Sequence, residues 1–483
     1  MPTLPTKPSG AGSAAPMLHD DKGQNLSRGL SNRHIQLIAI GGAIGTGLFL
    51  GSGKTIAVAG PSVIFVYMII GFMLFFVMRA MGEVLLSNSG YRTFADFAGD
   101  LIGPWAGFMV GWTYWFCWII IGIADIIAIS GYVKVWAPDL PLWIPALLTI
   151  VLFLVLNLVA VRLFGELEFW FALLKVVAII ALVVVGIVLI AMAFRSPNGD
   201  TASLANLWND GGMFPKGFMG FIGGFQIAIF AFQGIELAGT AAAETKDPEK
   251  TLPKAINSIP LRVLLFYVGS LIVIMAVTPW HYANADTSPF VAMFSLAGLV
   301  GAAGVVNFVV LTSAASSANS GIFSTSRIMY GMAGDNEAPK TFGVLSGNKV
   351  PARALLLSCV CLLPGVALLY AGDSVGSAFT LVTSISAILF ITVWEFIVIS
   401  YLAYRKKRPE LYDTSKFRMP GGKIMAWVVL VFFGLVIIAL GFAEDTRIAL
   451  YTAPVWYLIL IAAYFGLVRP AKRRADRLET ASK

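Results

Sequence analysis

The amino-acid sequence predicts an all-α membrane protein with twelve transmembrane helices, and three observations predict it. Hydrophobic residues fill 58% of the 483 positions and charged ones only 12%, about half the share carried by soluble domains. The apolar residues run together without charge, as in Leu140–Val161, Val263–Ala285, Ile424–Ala443 and Ile448–Val468. Each run is near the ~20 residues that cross a bilayer core. The Lys and Arg residues alternate in density between connecting segments, as they do between the two faces of a membrane. A soluble enzyme, a disulfide-stapled secreted module and a nucleic-acid binder are excluded. The net charge of +8 belongs to membrane orientation.

In chain order, residues 1–34 are polar, rich in Pro, Ser and Gly, and lack the apolar stretch of a secretory signal. They are expected to form a disordered cytoplasmic tail. Spans follow at 35–57, 61–84, 102–130, 141–161, 169–194, 217–241, 259–279, 291–326, 354–371 and 375–402. A basic cytoplasmic loop, 405–423, leads to helices 11 and 12 at 424–443 and 448–468, and a basic cytoplasmic tail, 469–483, follows. An even number of spans puts both termini on one side. With that side cytoplasmic, 28 of the 34 Lys and Arg residues lie in cytoplasmic segments, five in outer ones, and Lys175 inside a span. The longest loop between spans, 327–353, holds 27 residues, too few for a nucleotide-hydrolysing domain, so ATP-driven transport is not expected. Cys117, Cys359 and Cys361 lie in apolar runs, and His19, His34 and His281 are scattered. Structural zinc needs four clustered ligands, so neither a metal nor another cofactor is expected.

Two spans carry interruptions. Span 1 reads Gly41-Gly42-Ala43-Ile44-Gly45-Thr46-Gly47-Leu48, and each glycine costs a helix about 1 kcal/mol relative to alanine. In a bilayer, freed backbone groups must find partners. A helix that breaks here, with its free N–H and C=O groups lining a cavity, accounts for the pattern. Tight helix packing through small residues is the alternative. Span 6 has a second interruption at Phe230–Thr240, five spans on, with the acid Glu236 inside it. Matched interruptions in two five-span halves point to a secondary transporter built from inverted repeats, its core 35–404 divided into 35–194 and 217–404. The stretch Gly51-Ser52-Gly53-Lys54-Thr55 is not a phosphate-binding loop, because Leu48 stands where the pattern needs glycine and no strand precedes it.

Electrostatics says what such a pair of breaks can bind. A half-helix starting after Gly47 presents unpaired N–H groups and the positive end of its dipole, which suits a carboxylate. A half-helix ending near Gln233 leaves free carbonyls, which suit an ammonium. Both poles a few ångströms apart match the head group of a zwitterionic α-amino acid.

Gly41–Leu48, Glu168–Val177, Phe230–Pro253 and Thr312–Arg327 carry a family resemblance. The chain resembles the amino acid–polyamine–organocation superfamily, in its bacterial amino acid permease branch, from about residue 28 to 470. The resemblance implies a five-plus-five inverted-repeat core with two additional helices. It implies proton symport of small neutral amino acids (glycine, alanine and serine, D-isomers included) across a bacterial cytoplasmic membrane. A related permease for aromatic amino acids or γ-aminobutyrate is the alternative. Carried over by residue, the carboxylate site falls on the backbone of Gly45, Thr46 and Gly47. The carbonyls of Ala43, Phe230 and Gln233 match those that receive the amino group, and Phe230 matches the aromatic that closes the site from outside. Lys175 matches the lysine whose ammonium replaces a sodium ion in sodium-driven relatives, and Ser316 and Ser317 lie in the segment that faces it.

Other residues carry two readings. Glu236 either serves the site, the default for an acid at membrane depth, or ties the break together through backbone N–H groups. Asp125 stands where many relatives carry Glu, and either shapes the pocket or pairs with a neighbour. Arg79 and Glu83, at i and i+4, read as a structural pair or gate near the inner face. The aromatics from Trp112 to Trp118 read as packing, and Arg405–Arg408 as a solvated loop. A channel would lack a midplane lysine, a sensor would need a signalling domain, and an intramembrane enzyme would need a nucleophile with a base or a metal.

Overall fold

The computed structural model describes residues 44–91, 93–159, 161–237, 247–347, 350–372 and 374–471, with the backbone alone at 159 and 161–168. Ala43, Gly41 and Gly42 of the first interruption, the tail 1–34 and the basic tail from 472 lie outside these residues. Among the described residues the chain is helical throughout, apart from turns and one isolated bridge between Arg195 and Thr201.

A π-helical turn, Gly47–Gly51, runs into α1 (Ser52–Ala59), and the turn at Gly60–Ser62 separates it from α2 (Val63–Ser87). Next come α3 (Phe94–Leu101), α4 (Pro104–Val133), α5 (Trp143–Val159) and α6 (Val161–Ala191). The second half holds α7 (Gly217–Ala228), α8 (Pro248–Asn257), α9 (Ile259–Arg262) and α10 (Ser270–Val277). It continues with α11 (Pro289–Leu296), α12 (Val300–Gly334), α13 (Ala352–Val360), α14 (Leu363–Ala371) and α15 (Val375–Lys407). The chain closes through α16 (Pro409–Thr414), α17 (Gly422–Ala439) and α18 (Glu444–Ala463).

Nine described helical stretches are long and apolar enough to cross a membrane, so the protein is multi-pass. The described end of the expected first span and the whole of the second fall within one of them, Gly47–Ser87, and the expected fourth and sixth fall on the shorter apolar helices Trp143–Leu158 and Gly217–Phe232. Two boundaries differ from expectation. The eighth span is not continuous from 291: α11 stops at Leu296, Gly298 takes φ +78°, and α12 starts at Val300 and runs on to Gly334. Helix α15 continues through Lys407 instead of ending in a loop at 402.

Local signals account for the starts. Thr93 and Asp96 form a reciprocal capping box at α3, with the Thr93 N–H donating to the Asp96 carboxylate over 2.9 Å. Pro104 opens α4 at the position where a missing N–H costs nothing. Helix α4 lies at the centre, between α12 and α15. Its most apolar window is 83% buried, whereas that of Glu444–Ala471 is 22% buried. Side chains such as Val184, Ile187, Leu435, Ile438 and Leu458 are exposed. With no water-facing role for such a surface, this is the lipid face.

Candidate functional site

The glycines of the first expected interruption lead into the first described helix. Ile44 is non-helical, Gly45 sits in a bend, and helix begins at Thr46. The Gly45 carbonyl accepts the amides of Leu48 and Phe49, at 3.2 and 3.3 Å. The first N–H groups of a helix have no partner within it, which places the amides of the Gly45–Gly47 stretch at the positive end of the half-helix. The carbonyl of Ile44 receives the Ser313 hydroxyl from α12 at 3.4 Å.

The second break follows α7. A 3₁₀ turn, Ile229–Phe232, ends at Gln233, whose ψ of 142° is extended. Gly234 then takes φ +89°, a conformation that glycine adopts without steric cost. The Tyr267 hydroxyl donates to the Ala231 carbonyl over 3.0 Å, and its ring stacks on Phe232 with centroids 4.9 Å apart.

The two breaks meet at Gly47. A Cβ built on Gly47 would stand 2.5 Å from the Ala231 Cα and 2.8 Å from Cδ1 of Phe230, so no larger residue fits. Phe230 is buried, edge-on to Phe379 of α15 at 5.5 Å.

Two polar groupings flank this junction. In one, the Thr46 hydroxyl donates to the Asp125 carboxylate of α4 over 2.7 Å. Ser317 of α12 and Lys175 of α6 stand next to Asp125, and the Ser317 hydroxyl is 3.6 Å from a Cβ built on Gly45. Lys175 is only 1% exposed; its side chain does not reach either surface. Ser316, next to Ser317 in sequence, is fully buried. In the other grouping, Glu236 accepts the Tyr114 hydroxyl over 3.1 Å and lies against the backbone of Gly234 and Glu236 with Trp394 alongside. Tyr114 and Asp125 are eleven residues apart on α4, about 16 Å along its axis, so the two acids stand at different depths.

Gln233 is held by α15: the Ser386 hydroxyl donates to its side-chain oxygen over 2.7 Å. The sequence does not single out Ser313, Tyr267 or Ser386, and Tyr114, read there as packing, also puts its hydroxyl on Glu236. Their common signal is a hydroxyl facing inward at membrane depth, which many other Ser, Thr and Tyr residues of this chain share.

Arg79 and Glu83 lie apart from the junction; their charges attract each other, but each makes its hydrogen bonds elsewhere. The buried Glu83 carboxylate accepts the Met419 amide over 2.6 Å. Arg79 donates to Asn257 at 3.0 Å and to the Arg418 carbonyl, and stacks 3.8 Å from the Phe417 ring centroid. Arg405, in the last turn of α15, stacks on Tyr412 at 4.3 Å rather than lying free in solvent. Gly51–Thr55 is helical, and Lys54 pairs with Asp445 and Thr380. Among the described residues no group of three or more His, Cys, Asp or Glu side chains could hold a metal ion.

The amino acid permease family matches residues 34–476. The D-serine/D-alanine/glycine transporter of Escherichia coli (strain K12) is 61% identical over 455 residues, 94% of this chain and 96% of that protein. An amino-acid permease of Bacillus subtilis is 54% identical, covering 91% of this chain and 95% of its own length. A DL-alanine permease of Lactococcus lactis is 41% identical, covering 93% and 97%.

Proposed function

The chain belongs to the amino acid permease family, and from that premise we propose that it is a proton-coupled importer of small neutral amino acids: glycine, alanine and serine, with D-alanine and D-serine among them. The observation that carries this reading is the junction of the two broken helices, where Gly47 meets Ala231 backbone to backbone. One side offers the N–H end of a half-helix and the other the carbonyls of a second, so a carboxylate and an ammonium find opposite poles a few ångströms apart. The named relatives supply the substrate class.

In this proposal the amides of Gly45, Thr46 and Gly47 receive the carboxylate. The carbonyls of Phe230 and Gln233 receive the ammonium, as does that of Ala43, which lies outside the described residues. Phe230 closes the site from outside. Glu236 holds the second break in shape, and Asp125 with Thr46 shapes the first. Lys175 carries the coupling proton, with Ser316 and Ser317 as its hydroxyl neighbours: an ammonium in a buried place is stabilised by such groups and destabilised when they withdraw. Twelve helices in a five-plus-five inverted repeat plus two, with both termini cytoplasmic in a bacterial inner membrane, complete the proposal.

The test is uptake of labelled glycine by proteoliposomes under an imposed pH gradient, with alanine and serine of both hands as competitors. Saturable, gradient-driven uptake with counterflow is expected. Uptake that neither saturates nor shows counterflow would make the protein a channel, and uptake indifferent to the gradient would remove the proton.

A further inference from the structure

We propose that the side-chain amide of Gln233, set by Ser386, recognises a hydroxyl on the substrate and thereby decides how serine is ranked against alanine. This rests on the reading of the junction as a site for small amino acids, and it adds a side-chain reader to a head-group site made of backbone.

Ser386 lies in the middle of α15 and is fully buried. The hydroxyls near it behave differently. Those of Thr380, Thr383 and Ser384 each donate to a carbonyl one turn earlier in their own helix, at 2.7, 2.8 and 2.7 Å, the usual resting place for a helical Ser or Thr. The Ser386 hydroxyl instead crosses to Oε1 of Gln233 over 2.7 Å. That bond takes the amide oxygen and fixes the plane of the amide. Its nitrogen is buried and has no hydrogen-bond partner, although it carries two N–H donors. A buried donor left without an acceptor is costly, and it stands at the residue where the second broken helix turns extended, three residues beyond Phe230 at the junction.

In this proposal the nitrogen faces the space between the two breaks, and a substrate there supplies the missing partner. Glycine and alanine bring no polar atom beyond their head group. Serine brings one hydroxyl, which both donates and accepts, and it differs from alanine in that group alone. The amide therefore favours serine over alanine by one hydrogen bond, worth about tenfold in affinity. Ser386 acts through Gln233 as a positioning residue and need not touch the substrate.

The experiment measures serine and alanine, each in both hands, as competitors of labelled glycine binding to the purified full-length protein. It compares wild type with Gln233→Met, Ser386→Ala and Ser386→Thr. Gln233→Met keeps the length of the side chain and removes both polar atoms, and it is expected to lower the serine-to-alanine affinity ratio about tenfold. Ser386→Ala is expected to lower the ratio in the same direction, and Ser386→Thr to restore it. A merely structural role for Ser386 would weaken both competitors equally and leave the ratio flat. A flat ratio in Gln233→Met overturns the proposal; if that variant does not fold, a flat ratio in Ser386→Ala does so. A wild-type protein that binds none of glycine, alanine and serine overturns instead the small-amino-acid reading beneath it.

Discussion

Replacing Gly47 tests whether the two broken helices form one site. The Cβ that alanine adds would stand 2.5 Å from the Ala231 Cα and 2.8 Å from Cδ1 of Phe230. Carbon atoms rest at about 3.5–4.0 Å, so the two breaks must part by about 1 Å. Both poles of the proposed head-group site then move away from each other. Overpacking of this kind costs about 1–3 kcal/mol, or about 5- to 140-fold in affinity at 1.4 kcal/mol per decade. Gly47→Ala is expected to fall within that range and Gly47→Val, with two more methyl groups, beyond it. The assay is binding of labelled glycine to purified protein, read beside its thermal unfolding midpoint. Gly331→Ala is the control, because a Cβ there meets no atom within 4 Å, and it should bind as wild type does. A folded Gly47→Val protein with wild-type affinity would refute the junction as the binding site.

Three further outcomes are expected. Lys175→Met should abolish proton-driven accumulation while binding or exchange persists, and Lys175→Arg should stall transport, because arginine does not release a proton. One coupled proton is worth about 2.3 kcal/mol per 100 mV, or about forty-fold accumulation, so a Met variant that accumulates like wild type in proteoliposomes removes Lys175 from coupling. Cysteine placed at Ala205 should react with an impermeant thiol reagent in intact cells and cysteine at Asp413 should not; the reverse pattern overturns the orientation. Glu83→Ala leaves the buried Met419 amide without its acceptor, a loss of about 1–3 kcal/mol, and should raise hydrogen exchange at residues 417–421. Unchanged protection there would show that Glu83 does not hold this segment.

The bilayer makes part of this protein readable in one dimension. Crossing it takes a set number of apolar residues and biases basic ones to one side, so helices lie where uncharged runs predict them, and Lys175 stands out as a basic residue well inside its span. The second interruption was legible for a similar reason: the Gln-Gly-Ile-Glu run at 233–236 conflicts with a continuous apolar helix, and the described chain enters its first helix at Thr46, among the glycines that marked the other. The structure then sharpened boundaries that hydropathy cannot resolve, such as Gly298 dividing α11 from α12, because a left-handed residue ends a helix without altering its apolar character. The partners of the site were not legible. Thr46 meets Asp125 across 79 residues of sequence, Tyr114 meets Glu236 across 122, and Ser386 meets Gln233 across 153. Any buried serine or threonine in a helix can satisfy itself on the carbonyl one turn back, so composition alone does not reveal which hydroxyl turns away from its own helix. Only the packing of α4, α12 and α15 around the two breaks decides that, by placing another element's polar atom within reach.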